Sequence, residues 1–301
     1  MATPPASAAV PLGGHGLLAG IAAYLLWGLF PLYFRLIDEL SPLEIVGWRI
    51  LFSAVTLALV LPFAGQAREL AAALRDPRLM RLLLPAALLL FGNWFAYVLA
   101  VTGGNALDAS LGYFMCPLVM VALGVLVLGE RLNGLQTMAV ALVVSAIGLL
   151  VGAAGIVPKI ALFLAVSFGI YGLLRKRAAV GAVVGLLIEC LLTLPLALAL
   201  LIWVARRDGL GFPSGRSGLD LLVVVSGAVT VAPLVLFAYG ARRLRLATVG
   251  LLQYIAPSMI FVEAVWLFGE PLSPWRLAAF TLIWTALGLY TLDGLRRPAT
   301  P

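Results

Sequence analysis

The sequence predicts an all-α polytopic membrane protein of ten transmembrane helices, arranged as two inverted five-helix repeats. Three observations lead there. Hydrophobic residues make up 63% of the 301-residue chain and charged residues only 11%, more apolar surface than a soluble fold of this length can hide. The apolar residues fall into ten runs of about 20, the length that crosses a bilayer. The segment 117–132, PLVMVALGVLVLGERL, returns 140 residues later at 257–272 as PSMIFVEAVWLFGEPL.

The runs are 16–36, 43–63, 79–101, 107–128, 134–152, 158–175, 181–204, 219–240, 246–268 and 275–293. Residues 1–15 carry no Lys or Arg and read as a flexible cytoplasmic tail rather than a signal with a basic start. Residues 294–301 form a second cytoplasmic tail. Short connections make successive helices antiparallel neighbours. With the N-terminus inside, thirteen of the twenty Lys and Arg fall on the cytoplasmic side and six outside, with Arg49 in a span. This favours both termini in the cytoplasm of a bacterial inner membrane. The net charge of +7 therefore sets orientation and implies no nucleic-acid partner. Cys116 and Cys190 both lie in apolar runs, so disulfides do not organise the fold.

The 140-residue offset runs without a gap from 41–151 onto 181–291. The first and sixth spans match at 144 instead, through Trp27-Gly28-Leu29 and Tyr171-Gly172-Leu173. The units are 16–155 and 156–293. Five is odd, so the second unit enters the membrane from the opposite side, giving a pseudo-two-fold axis in the membrane plane.

The twice-used pattern of Pro, an apolar run, Gly-Glu and a new helix resembles the ten-helix EamA-type permeases of the drug/metabolite transporter superfamily. AAYLLWGLFPLYFRLI (22–37), GNWFAYVLAV (92–101), ASLGYFMCPLV (109–119), YGLLRKRAAV (171–180), GLLIE (185–189) and RRLRLATVGLLQYIAP (242–257), with FGEPL (268–272), resemble its RarD-type, chloramphenicol-sensitivity branch. The resemblance covers the chain from Gly16 to about Asp293. Where related sequences often have His-Arg in the second span, this chain has Trp48-Arg49, so no role for that histidine carries over. The resemblance implies export of a small metabolite or a chloramphenicol-like drug.

Ionisable groups inside a span are costly and call for a partner or a function. Arg49 and Glu189 stand 140 residues apart with opposite charge. They are expected either to form a charge pair that breaks as the halves move, or to leave Glu189 binding a coupling proton; snorkelling to a helix end is the structural alternative. Glu263 lies mid-span without an acidic counterpart. Glu130 and Glu270 are expected to be structural braces, each accepting hydrogen bonds from the start of the following helix. Pro117 and Pro257 are candidate hinges, since each frees a carbonyl one turn earlier. Gly148 and Gly288 are expected to permit close helix packing.

The substrate-contact candidates are Tyr24, Trp27, Asn93, Trp94, Tyr97, Tyr113, Ser167, Tyr171 and Gln253. Aromatic walls with a few hydrogen-bonding groups suit a small amphipathic molecule; helix–helix hydrogen bonding is the competing role for the polar ones. No HExxH motif, Cys/His cluster or nucleotide-binding loop occurs, and the single histidine, His15, is in the tail. An enzyme, a metal site or a cofactor is therefore not expected. The expected function is secondary active transport of a small molecule by alternating access, with a non-transporting receptor or structural subunit as the alternative. The partners are the substrate and the lipid bilayer; a coupling proton and a homodimeric state stay open.

Overall fold

The computed structural model describes residues 14–128, 132–241, 243–244, 249 and 252–296, and all their regular structure is helical. The helices are α1 (Gly14–Gly28), α2 (Phe30–Arg35), α3 (Pro42–Phe63), α4 (Ala67–Leu74), α5 (Pro77–Thr102), α6 (Ala106–Leu128), α7 (Gly134–Gly152), α8 (Lys159–Arg177), α9 (Ala182–Arg207), α10 (Ser217–Ala241), α11 (Ile255–Val262) and α12 (Pro274–Arg296). A π-helical turn, Glu263–Leu267, continues α11. Among the described residues, eight stretches are long and apolar enough to cross a membrane, α1 and α2 counting as one; α11 with its π turn forms a shorter apolar segment. With α8 they lie where the ten apolar runs were expected.

Local sequence explains the helix starts and breaks. Ser41 caps α3 by accepting from the Glu44 amide at 3.3 Å, and Asp76 caps α5 by accepting from Arg78 and Leu79; Pro42 and Pro77 follow as first helical residues. Asn133 and Gln136 form a capping box at the start of α7. The first expected span is divided at Leu29, where Pro31 supplies no amide to the helical ladder. In the ninth, α11 opens at Ile255 with Pro257 in its first turn, and Val249 and Leu252 ahead of it are also helical. The short α4 was not anticipated. Glu130 and the tails outside 14–296 lie beyond the described residues.

Packing follows the sequence offset. The most extensive contacts pair α7 with α12, α6 with α8, α3 with α9, α1 with α10, α3 with α10 and α5 with α8, and α11 packs on both α1 and α6; the α5–α9 counterpart of α3–α10 is the slighter contact. Exchanging each helix for its offset partner turns α5–α8 into α10–α1, and α6–α8 into α11–α1. The pairs α3–α9 and α7–α12 map onto themselves.

The α7–α12 interface shows the residue-level match. Ala139, Val143 and Ala146 are buried, as are Ala279, Ile283 and Ala286, each 140 residues on. Small side chains let two helices approach in lipid, where no hydrophobic effect drives them together. Gly148 and Gly288 do not serve this purpose. Both are exposed, and a Cβ at either would meet nothing within 4 Å; two residues beyond the buried alanines, they have rotated off the contact face. A glycine that close packing does require is Gly227 on α10, where a Cβ would lie 2.1 Å from the Phe52 carbonyl oxygen of α3.

Gly227→Ala therefore should force α10 away from α3 and cost about 1–3 kcal/mol, lowering the melting temperature of the purified protein. Gly148→Ala and Gly288→Ala should leave it unchanged or slightly raised, since alanine is the better helix former.

Candidate functional site

Arg49 lies seven residues into α3 and is 3% exposed. Its Nε donates to Thr230 Oγ1 on α10 at 2.9 Å. The guanidinium carbon is 4.2 Å from the Trp94 ring centroid and 5.3 Å from those of Phe30 and Phe34. Aromatic faces attract a desolvated guanidinium, by about 2 kcal/mol in favourable cases. Nη1 is buried without a hydrogen-bond partner. Among the described residues no carboxylate lies within 4.0 Å of Arg49.

Glu189 lies seven residues into α9 and is 1% exposed. It takes other partners. Arg175 Nε approaches Oε1 at 3.5 Å, close enough for ion pairing but without hydrogen-bond geometry, and the Tyr171 hydroxyl donates to Oε2 at 3.1 Å. The separation of Arg49 from Glu189 follows from helix direction. Glu44, in the first turn of α3, accepts the Gly211 and Phe212 amides just beyond the end of α9, so the two helices run antiparallel. Each charge is then about 10 Å from its own helix start, on opposite sides of the middle of helices more than 30 Å long. Inverted equivalents share a distance from the axis but lie on opposite sides of the midplane.

Gly185 makes room for the Arg175–Glu189 contact: a Cβ there would sit 2.1 Å from Arg175 Nη1. Sequence reasoning had counted Arg175 as a loop cation. Thr230 was also overlooked; the available signal was Ser226 and Thr230 four residues apart in an apolar run. Glu44 too escaped notice, though it is 2% exposed and also accepts from Trp48 Nε1 at 3.2 Å.

Asn93 is saturated. Its Nδ2 donates to the Leu164 carbonyl at 3.1 Å and Ser167 Oγ at 2.9 Å, and its Oδ1 accepts from the Tyr113 hydroxyl at 3.2 Å. It therefore ties α5, α6 and α8 together. From this knot a run of ring contacts connects Phe34, Tyr97, Tyr113, Phe168 and Tyr171, with centroid spacings of 5.5–6.2 Å. The run links the Arg49 cage to Glu189. Trp94 faces Arg49 and also lines a cavity of ≈ 10 Å³ with Glu189, Cys190 and Thr193, about enough for one water.

The remaining candidates sit apart. Tyr24 and Trp27 pack on Phe237 of α10. Gln253 is half-buried beside Tyr254. Pro117 lies inside an unbroken α6, whereas the Pro257 carbonyl accepts from Ser110 Oγ at 2.8 Å, joining α11 to α6. Glu263 opens the π turn with Oε2 buried and unpartnered.

Glu270 binds the start of a helix, but not the following one. Its Oε1 accepts from the Ala106 amide at 2.6 Å and its Oε2 from the Leu107 amide at 2.9 Å, both at the start of α6 in the other half. Gly269, at φ +66°, turns the chain there, a conformation glycine adopts without strain. Arg276 Nη2 adds an ion pair to Asp108 Oδ1 at 3.3 Å, and Arg35 lies 4.7 Å from the Phe268 ring centroid. At the opposite end Asp293 accepts from Asn133 Nδ2 at 2.6 Å and Gln136 Nε2 at 3.0 Å, tying α12 to the α7 cap.

Glu270→Gln offers one acceptor oxygen where two amides need one each. It should cost about 1.5–3 kcal/mol, the scale of a charge-assisted hydrogen bond, read as a lower melting temperature. Hydrogen exchange should quicken at Ala106 and Leu107, with little change at the Asp293 end.

Residues 14–152 match the EamA-like transporter family. A protein of Vibrio cholerae described as an uncharacterised transporter is 42% identical over 281 residues, covering 93% of each chain. The protein RarD of Salmonella typhimurium is 39% identical over 281 residues, covering 93% of this chain and 96% of its own. A solved crystal structure shares the fold at a TM-score of 0.63 and 21% identity, over 93% of this chain and 99% of its own. Identity of this extent, end to end, places the chain in the EamA-like transporter family, among the RarD-type multi-pass membrane proteins.

Proposed function

We propose that the protein is a secondary active permease of the bacterial inner membrane, carrying a small metabolite or drug outward. Its units, 16–155 and 156–293, rock as inverted repeats about a site near the midplane, with both termini in the cytoplasm. The reciprocal packing is the observation that carries this reading. The fourth helix of each half lies on the first helix of the other, so each half is completed by the other and neither is a separate module. Inverted repeats of this kind support alternating access. No chemistry on the substrate is proposed.

The polar groups divide between the two motions such a carrier needs. The Glu270–α6 and Arg276–Asp108 contacts hold one end closed in this conformation. The Asn133–Asp293 contact crosses between the halves at the other. Each is a small number of hydrogen bonds, within the range that a ligand with different affinity for two states shifts. Glu189, buried between Arg175 and Tyr171, is the proposed proton site: adding a proton to its carboxylate cancels the attraction to Arg175 and frees that end to move.

Reconstitution into liposomes tests this reading. Wild-type protein should exchange solute across the bilayer and respond to an imposed proton gradient. Glu189→Gln should retain exchange but lose the gradient's effect. Gly185→Ala, which displaces Arg175 while leaving the carboxylate, should weaken the gradient's effect and leave exchange in place. Wild-type vesicles inert to a broad metabolite and drug set would instead favour a non-transporting membrane subunit.

A further inference from the structure

From the cage around Arg49 we infer that the transported solute is a small monocarboxylate with an aromatic or bulky apolar body, and that Arg49 receives its carboxylate. This inference rests on the permease reading. Buried charges are ordinarily paired. Arg49 is a buried cation without such a pair among the described residues: it is 3% exposed, is in contact with three aromatic rings, and has no carboxylate within 4.0 Å. The obvious acidic partner, Glu189, is engaged by Arg175 and Tyr171. Thr230 occupies Nε and leaves Nη1 free. A planar guanidinium with a free edge suits the two oxygens of a carboxylate.

Charge and lining narrow the class. One unpaired cation balances one negative charge, so a monoanion fits better than a phosphate carrying two. The nearby polar groups without a partner are few: the Tyr97 hydroxyl, Ser53 Oγ, one turn beyond Arg49 on the same face of α3, and Ser226 Oγ, one turn before Thr230 on α10. The walls are Trp94, Phe30, Phe34 and Tyr97, which match an aromatic ring or branched apolar group rather than a sugar. In the present conformation the void behind Trp94, which Ile50 and Glu189 also line and Arg49 does not, is only ≈ 10 Å³. The solute therefore enters when Trp94 and the α5 side move off α3, and its carboxylate supplies the acceptor that Nη1 lacks.

The test uses probe pairs of the same shape that differ in charge: phenylacetate with phenylacetamide, and indole-3-acetate with indole-3-acetamide. Binding to the purified full chain is read by thermal shift and tryptophan fluorescence, and carriage by exchange into loaded liposomes. The carboxylates should bind at least tenfold more tightly than their amides. Arg49→Gln should abolish that preference; Arg49→Lys, which keeps the charge but not the fork, should reduce it at least threefold. Equal binding of acid and amide to the wild type overturns the inference, as does an acid preference that survives in Arg49→Gln, or no binding by either acid. Should Arg49→Gln fail to fold, the wild-type ratio and Arg49→Lys decide. Amide exchange without acid preference defeats this inference and leaves the permease standing. Tight acid binding without any exchange defeats the permease reading and overturns the inference as stated, since the acid is then bound and not carried.

Discussion

In a bilayer the first amides of a helix have no water to bond, and leaving them unmade costs several kcal/mol each. At α6 two of those amides, from Ala106 and Leu107, are accepted by Glu270 of the opposite half. The carboxylate also opposes the positive end of the α6 dipole. Much else hangs on the arrangement. The π turn Glu263–Leu267 and the positive φ of Gly269 bring Glu270 to the helix start. Held there, α6 presents Ser110 to the Pro257 carbonyl and Tyr113 to Asn93. A single end-of-helix carboxylate thus positions the helix that joins the two halves at the centre.

The membrane class, the helix positions and the repeat offset were legible in the sequence because they are written in composition and period. The buried faces of α7 and α12 follow the offset residue for residue. Partner identity was not legible in the same way. The second Gly-Glu pair marked a capping carboxylate, Glu270, but its target lies 163–164 residues away, and only folding of the two halves into each other reveals it. The match of Arg49 with Glu189 left a charge pair and a proton site on Glu189 both open, and in this structure Glu189 pairs with Arg175 instead. Inversion sends equivalent residues to opposite depths, so a shared offset argues against proximity unless the residue lies near the midplane. Gly148 and Gly288 failed for a local reason: a hundred degrees of rotation per residue separates them from the alanines that make the interface.

Asn93 and Arg49 looked alike from sequence, as polar residues in apolar spans. Their hydrogen-bonding capacity tells them apart. Asn93 spends both its amide and its carbonyl oxygen on α6 and α8, which is the behaviour of helix–helix glue. Arg49 spends one donor on Thr230 and rests its charge on rings. Aromatic faces offset part of the cost of burying a guanidinium but supply no acceptor for its remaining N–H groups. A saturated polar group holds a structure in one arrangement, whereas an unsaturated one stores a demand that something else meets.

That distinction bears on how a carrier of this design avoids idle cycling. A closed, empty molecule keeps an uncompensated cation among Trp94, Phe30 and Phe34, so closure without cargo is raised in free energy. Under the proposed carboxylate site, an anionic solute lowers the closed state more than the open ones, where water solvates the guanidinium. Such differential affinity is what a ligand needs to shift a conformational equilibrium. The end contacts oppose it: each closed end gains a few hydrogen bonds whether or not the centre is filled. Loaded closure is then favoured by both sets of interactions and empty closure by only one. On the permease reading, the imbalance at Arg49 is what links passage of the solute to movement of the halves.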